Sequence, residues 1–72
     1  MITPTQSRMA RAALNWSLRE LAQHSGLGLA TVSRFEVGTS QMTRANLETL
    51  RRAFEAAGIS FTELGVELKP RG

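Results

Sequence analysis

Few side chains in this 72-residue chain carry groups able to do chemistry, and their types narrow it sharply. His24 is the single histidine, and neither cysteine nor aspartate occurs. Nucleophilic catalysis needs an adjacent base, and a metal needs several converging ligands. Neither can be assembled around His24, which reads as a solvent-facing helix residue. No phosphate-cradling glycine loop is present. Glu48 and Arg52, like Arg51 and Glu55, stand four residues apart and pair on one solvated helix face, which occupies those carboxylates. The expectation is a protein without catalysis, cofactor or metal. What remains is recognition through guanidinium and apolar groups, with Arg34 as the one long donor among Leu29, Ala30 and Ser33.

Residues 17–38, SLRELAQHSGLGLATVSRFEVG, supply the elements that must hold those four side chains. Leu21, Val32 and Phe35 make a buried side. Ala22 is small where a second helix crosses closely, and Gly26 supplies the positive φ with which a helix ends and turns. With Val32 and Phe35 inward, Leu29, Ala30, Ser33 and Arg34 fall on the outward strip of the second helix. Two short helices joined by a glycine-centred turn are the pattern of a DNA-reading helix-turn-helix. An outward arginine there can donate twice to guanine, while Leu29 and Ala30 can pack on thymine methyl groups.

Capping chemistry marks the helix boundaries. Thr3, Pro4 and Gln6 form a capping box with proline in the first turn, starting a helix that runs to about Leu14. Ser17 and Glu20 repeat the box for a second helix, with Trp16 placed to staple onto Leu21. Gly28 must cap the third helix without a side chain, and Gly38 stops it. Met42, Thr43 and Leu47 start a fourth, whose Leu47, Leu50, Phe54 and Ala57 form one apolar stripe ending at Gly58. The tail ISFTELGVELKPRG has two readings. Ser60 with Glu63 is another capping box, whereas Ile59/Phe61 and Leu64/Val66/Leu68 alternate as strands do. A change of parity around Glu63 to Gly65 favours two strands and a turn, with Pro70 ending the ladder. The fold class is therefore mainly α, four helices followed by a short β-hairpin or a fifth helix.

Eight Arg and one Lys against six Glu give a net charge of +3, which suits an anionic polymer and equally suits ordinary solubility. A chain this short makes one domain, residues 1–72, with a small core to which a second copy would add buried surface. The absence of cysteine fits a reducing cytoplasm. Residues 12–16, the longest uncharged apolar run near the start, are too few for a signal peptide or a membrane span.

Beyond the turn, the segments ITPTQSRMARAALNWS, SRFEVG and TRANLETLRRAFEAAGISF, with the closing GVELKP, carry a specific resemblance. Over roughly residues 2–61 the chain resembles the Cro/CI type, or Xre family, of helix-turn-helix regulators. It is most similar to small stand-alone members that end in a GV-x-L-K/R strand. The resemblance implies a λ-repressor-like bundle with the third helix in the major groove and the second across the backbone. It implies base contacts from Leu29, Ala30, Ser33 and Arg34. Backbone contacts would come from Ser17, Leu18, Arg19, Gly28, Thr31, Thr39, Ser40, Gln41 and Arg44. Arg11 and Glu36 match a structural ion pair that fixes the reading helix against the first helix. Three positions depart from the pattern. Leu18 replaces a common phosphate-holding Gln, Gly28 replaces a Ser or Thr cap, and Leu29 replaces a Gln or Arg, leaving an apolar reading strip.

The expected function is a cytoplasmic, sequence-specific DNA-binding regulator, a repressor acting as a homodimer on an inverted repeat of double-stranded DNA. Residues 59–69 are expected to dimerise, with Ile59, Phe61, Val66 and Leu68 buried between chains, because four apolar side chains on a tail would stay exposed in a monomer. The basic end, Lys69 and Arg71, is placed either to touch phosphate or to fray. Two alternatives use the same fold: an antitoxin, or an adaptor or anti-activator that binds a regulatory protein partner, which apolar Leu18 and Leu29 would favour.

Overall fold

Four helices precede a hairpin: α1 (Pro4–Leu14), α2 (Leu18–Ser25), α3 (Leu29–Val37), α4 (Arg44–Ala56), β1 (Ile59–Phe61) and β2 (Val66–Leu68). This computed structural model describes residues 2–69, so the expectations for Pro70 and Arg71 lie outside the described residues. No helix among the described residues is long and apolar enough to cross a membrane.

Three of the four helices start where a side chain meets an orphan amide. Thr3 Oγ1 accepts from the Gln6 amide while Gln6 Oε1 accepts from the Thr3 amide. Ser17 and Glu20 exchange the same two bonds at α2, and Thr43 Oγ1 accepts from the Asn46 amide at α4. At α3, Gly28 offers no side-chain bond. Gly26 and Gly38 end α2 and α3 at φ 76° and 82°, a conformation that costs a side-chain-bearing residue about 1–2 kcal/mol. Asn15 ends α1 in the same left-handed region, φ 58° and ψ 39°, a role the sequence reading did not give it. Asparagine tolerates that region better than other non-glycine residues.

The Ser17 amide, followed by the Ser17 hydroxyl hydrogen-bonded within the same box, holds the Glu20 carboxyl below its usual range. A carboxylate with a depressed folded pKa contributes stability above its unfolded pKa and loses it as pH falls through the folded value. In urea titrations from pH 6 downward, the wild type should therefore lose stability more steeply on the acid side than Glu20→Gln. Parallel acid limbs would refute this.

Ile2, Ala10, Leu21, Val32, Phe35, Leu50, Phe54 and Ile59 form one buried core. Trp16 packs at its edge, where the expected contact is with Leu21. Its ring also stacks on His24, 4.1 Å between centroids and 7° between planes, and lies 5.8 Å from Phe54. His24 is exposed but not free, because the α2 helix brings its ring over the indole.

The hairpin corrects the tail reading in one respect. β1 and β2 pair antiparallel, Ile59 with Leu68, Ser60 with Glu67 and Phe61 with Val66. Ile59 and Phe61, like Val66 and Leu68, share one face of this ribbon, and the chain folds that face onto its own core. Ile59 is only 2% exposed, so its side chain is spent within the chain, and half-buried Phe61 meets Phe54 edge-on at 5.9 Å. Val66 is half-buried against the same core. Leu68, at 47% exposure, stays largely open. The anchor is Gln6, whose Nε2 donates to the Thr62 and Gly65 carbonyls at 2.7 and 3.2 Å, tying the turn to α1. Sequence reasoning saw Gln6 only as a cap.

Candidate nucleic-acid interface

α3 has two sides of opposite character. Val32, Phe35 and Glu36 are buried, whereas Leu29, Ala30 and Arg34 are exposed. Ser33 and Thr31, expected at the surface, are half-buried, because a nine-residue helix wedged between α1 and α2 leaves only a narrow free strip.

The buried side is fastened by charge. Glu36, 3% exposed, takes a forked guanidinium from Arg11, with Nη2 to Oε1 at 2.7 Å and Nε to Oε2 at 2.9 Å. Ser7, fully buried on α1, donates its hydroxyl to Glu36 Oε2 at 2.7 Å. Arg8 donates to the Glu36 carbonyl oxygen at the end of α3 and to Thr5 Oγ1. Arg11 also donates to the Trp16 carbonyl at 3.1 Å. Hydrogen bonding to Glu36 raises the Arg11 pKa above its ordinary value against the opposing effect of burial. α3 thus hangs on α1 through three side chains of α1, of which Ser7 and Arg8 were not foreseen; their spacing along α1 beside Arg11 was the available signal.

Charge elsewhere is divided in two. On α4, Arg51 bridges Glu48 and Glu55 at 2.7 and 3.2 Å, and Arg52 approaches Glu48 at 3.5 Å. Arg19 at the start of α2, Arg34 on α3 and Arg44 at the start of α4 are exposed, and none has a carboxylate partner among the described residues. The helix-turn-helix and the adjoining helix start therefore carry exposed cations whose charge no carboxylate among the described residues offsets.

The other candidate contacts are distributed unevenly. Ser17 accepts from Glu20 and so keeps its own hydroxyl hydrogen free. Leu18 is half-buried and packs against the core, so part of its side chain serves the fold. Gly28, Ser40 and Gln41 are exposed. Thr39 is exposed too, but its hydroxyl donates to the Arg34 carbonyl at 3.3 Å, beside its amide at 3.1 Å, so its hydrogen serves the end of α3.

A helix-turn-helix family model matches residues 8–64, which run from within α1 into the hairpin turn. The chain belongs to the helix-turn-helix family, Xre or Cro/CI type. No curated protein matches it. Helix-turn-helix membership assigns it to DNA-binding transcription regulators and supports the mainly α fold with its closing hairpin. In helix-turn-helix proteins the second helix of the motif is the one laid in the major groove, which here is α3.

Proposed function

We propose that the protein is a sequence-specific transcriptional repressor that binds an inverted repeat of double-stranded DNA as a homodimer, without catalysis or cofactor. The observation that carries this reading is the two-sided α3, bolted to α1 through buried Glu36 while Leu29, Ala30 and Arg34 stand free. A rigidly held helix with an open strip beside unpaired arginines matches what groove reading requires. Arg34 reads a base edge, and Leu29, Ala30 and Ser33 complete the strip. Ser17, the Leu18 backbone, Arg19, Gly28, Thr31, Thr39, Ser40, Gln41 and Arg44 meet the sugar-phosphate chain. Its place of action is the cytoplasm, and repression is by exclusion of polymerase.

The dimer contact consistent with the folded hairpin is the outer edge of β2 with Leu68. The register and the Lys69 to Gly58 backbone bond turn the Val66 and Leu68 backbone groups away from β1. Leu68→Lys should convert a dimer into a folded monomer in sedimentation equilibrium; an unchanged dimer would move the interface elsewhere. Truncation at Gly58 is not a clean test, because it takes Ile59 from the core.

Selection from a random duplex pool at about 0.15 M salt tests the function itself. An enriched palindrome supports it, and weak, purely salt-dependent binding without enrichment overturns it. Arg44→Ala should weaken all duplexes alike and lower the salt slope by about one unit, as loss of one phosphate contact does. A sequence-dependent loss would make Arg44 a base reader instead.

A further inference from the structure

We propose that the first turn of α3 reads the C5 methyl group of a pyrimidine and is blind to the rest of that base's edge. Thymine and 5-methylcytosine are then equivalent there, and uracil and unmethylated cytosine are both disfavoured. The inference rests on the DNA-reading role proposed above and names what that surface takes and how it is regulated.

Leu29 is 40% exposed and Ala30 is exposed, and neither side chain carries a donor or acceptor. Gly28 before them contributes no side chain, and no side-chain bond caps the helix there. The polar neighbours stand further back: Thr31, assigned above to the sugar-phosphate chain, and Ser33, a turn along the strip, are half-buried. Arg34 lies five residues along α3, about 7.5 Å at about 1.5 Å per residue, so its donors address a pair about two steps away. The exposed side chains of the first turn therefore present aliphatic surface alone. Exposed Arg19 and Arg34, without carboxylate partners among the described residues, fit a polyanion as the occupant of this surface rather than an apolar protein.

In the major groove thymine shows an O4 acceptor and cytosine an N4 donor, a difference that a hydrogen-bonding group detects and an aliphatic side chain does not. Methylation of cytosine at C5 puts a methyl group where thymine carries its own. Leu29 and Ala30 gain from covering that methyl in either base, and each methyl is worth about fourfold in affinity. Cytosine methylation in a site thereby becomes an input that raises occupancy.

The test uses the full chain and the selected duplex, with each half-site pyrimidine replaced in turn by thymine, uracil, cytosine and 5-methylcytosine, read by fluorescence anisotropy. At one or two adjacent positions thymine and 5-methylcytosine should bind alike, with uracil and cytosine about fourfold weaker. Leu29→Ala, checked for folding by circular dichroism, should remove most of the methyl effect at that position. Leu29→Gln, whose amide distinguishes O4 from N4, should split thymine from 5-methylcytosine. Specific binding that is indifferent to uracil at every thymine, or that treats 5-methylcytosine as cytosine, overturns the inference and leaves the DNA-reading role standing. Absence of any specific duplex overturns that role and this inference with it.

Discussion

Arg11→Ala should lower the unfolding free energy by about 3–5 kcal/mol, the cost of stranding one member of a buried ion pair. At about 0.05–0.15 kcal/mol per residue, that is a large part of the stability available to a chain this short. The reason is the position of Glu36, which is 3% exposed and would keep only the Ser7 hydroxyl on its carboxylate. The Arg8 bond does not compensate, because it reaches the Glu36 carbonyl and not the carboxylate. Ser7→Ala/Arg11→Met/Glu36→Leu removes donors and acceptor together, and should recover most of the loss, since burying a pair and burying apolar groups of similar volume are close in free energy. Urea unfolding followed by Trp16 fluorescence measures both. A loss below about 1 kcal/mol in Arg11→Ala, the range of surface pairs, would show that Glu36 is solvated in solution. Recovery of stability in the triple variant also separates stability from function, because α3 would then be held by packing and the Arg8 bond to the main-chain carbonyl at position 36, without the ion pair.

Arg34→Ala should erase discrimination at one base pair, about 1–3 kcal/mol between the correct and wrong base, while binding to scrambled duplex falls only slightly. Arg34 is exposed, and its backbone is fixed from behind by the Thr39 amide and hydroxyl at 3.1 and 3.3 Å. The guanidinium therefore starts from a rigid base, and truncation removes its donors without loosening the helix. Comparison of the wild type and variant on the selected duplex and on single-pair changes at each position gives the result directly. Retention of the full sequence preference would remove Arg34 as the reader. An equal loss on all duplexes, with a flatter salt slope, would make it a phosphate contact like Arg44.

The helices and their limits were readable because caps are local. Thr3 with Gln6, Ser17 with Glu20, and the glycines at 26 and 38 each act within a few residues of themselves, and the structure realises them at the same positions. The same holds for the apolar spacing that buries Val32 and Phe35, and for the alternation that becomes β1 and β2. The paired arginines of α4 also follow from spacing alone.

Tertiary structure decided what those elements do to one another. Whether Ile59 and Phe61 await a partner or close the chain's own core depends on Gln6, 56 residues away from Thr62 in sequence, drawing the hairpin back onto α1. Which way Leu18 points, whether Ser33 is free, and which of Ser7, Arg8 and Arg11 reach Glu36 depend on how α1, α2 and α3 cross. Periodicity gives the direction of a side chain around its own helix axis, but burial is set by the neighbour that lies there. That neighbour is placed by the sum of many weak contacts distributed along the chain, and no local pattern records it.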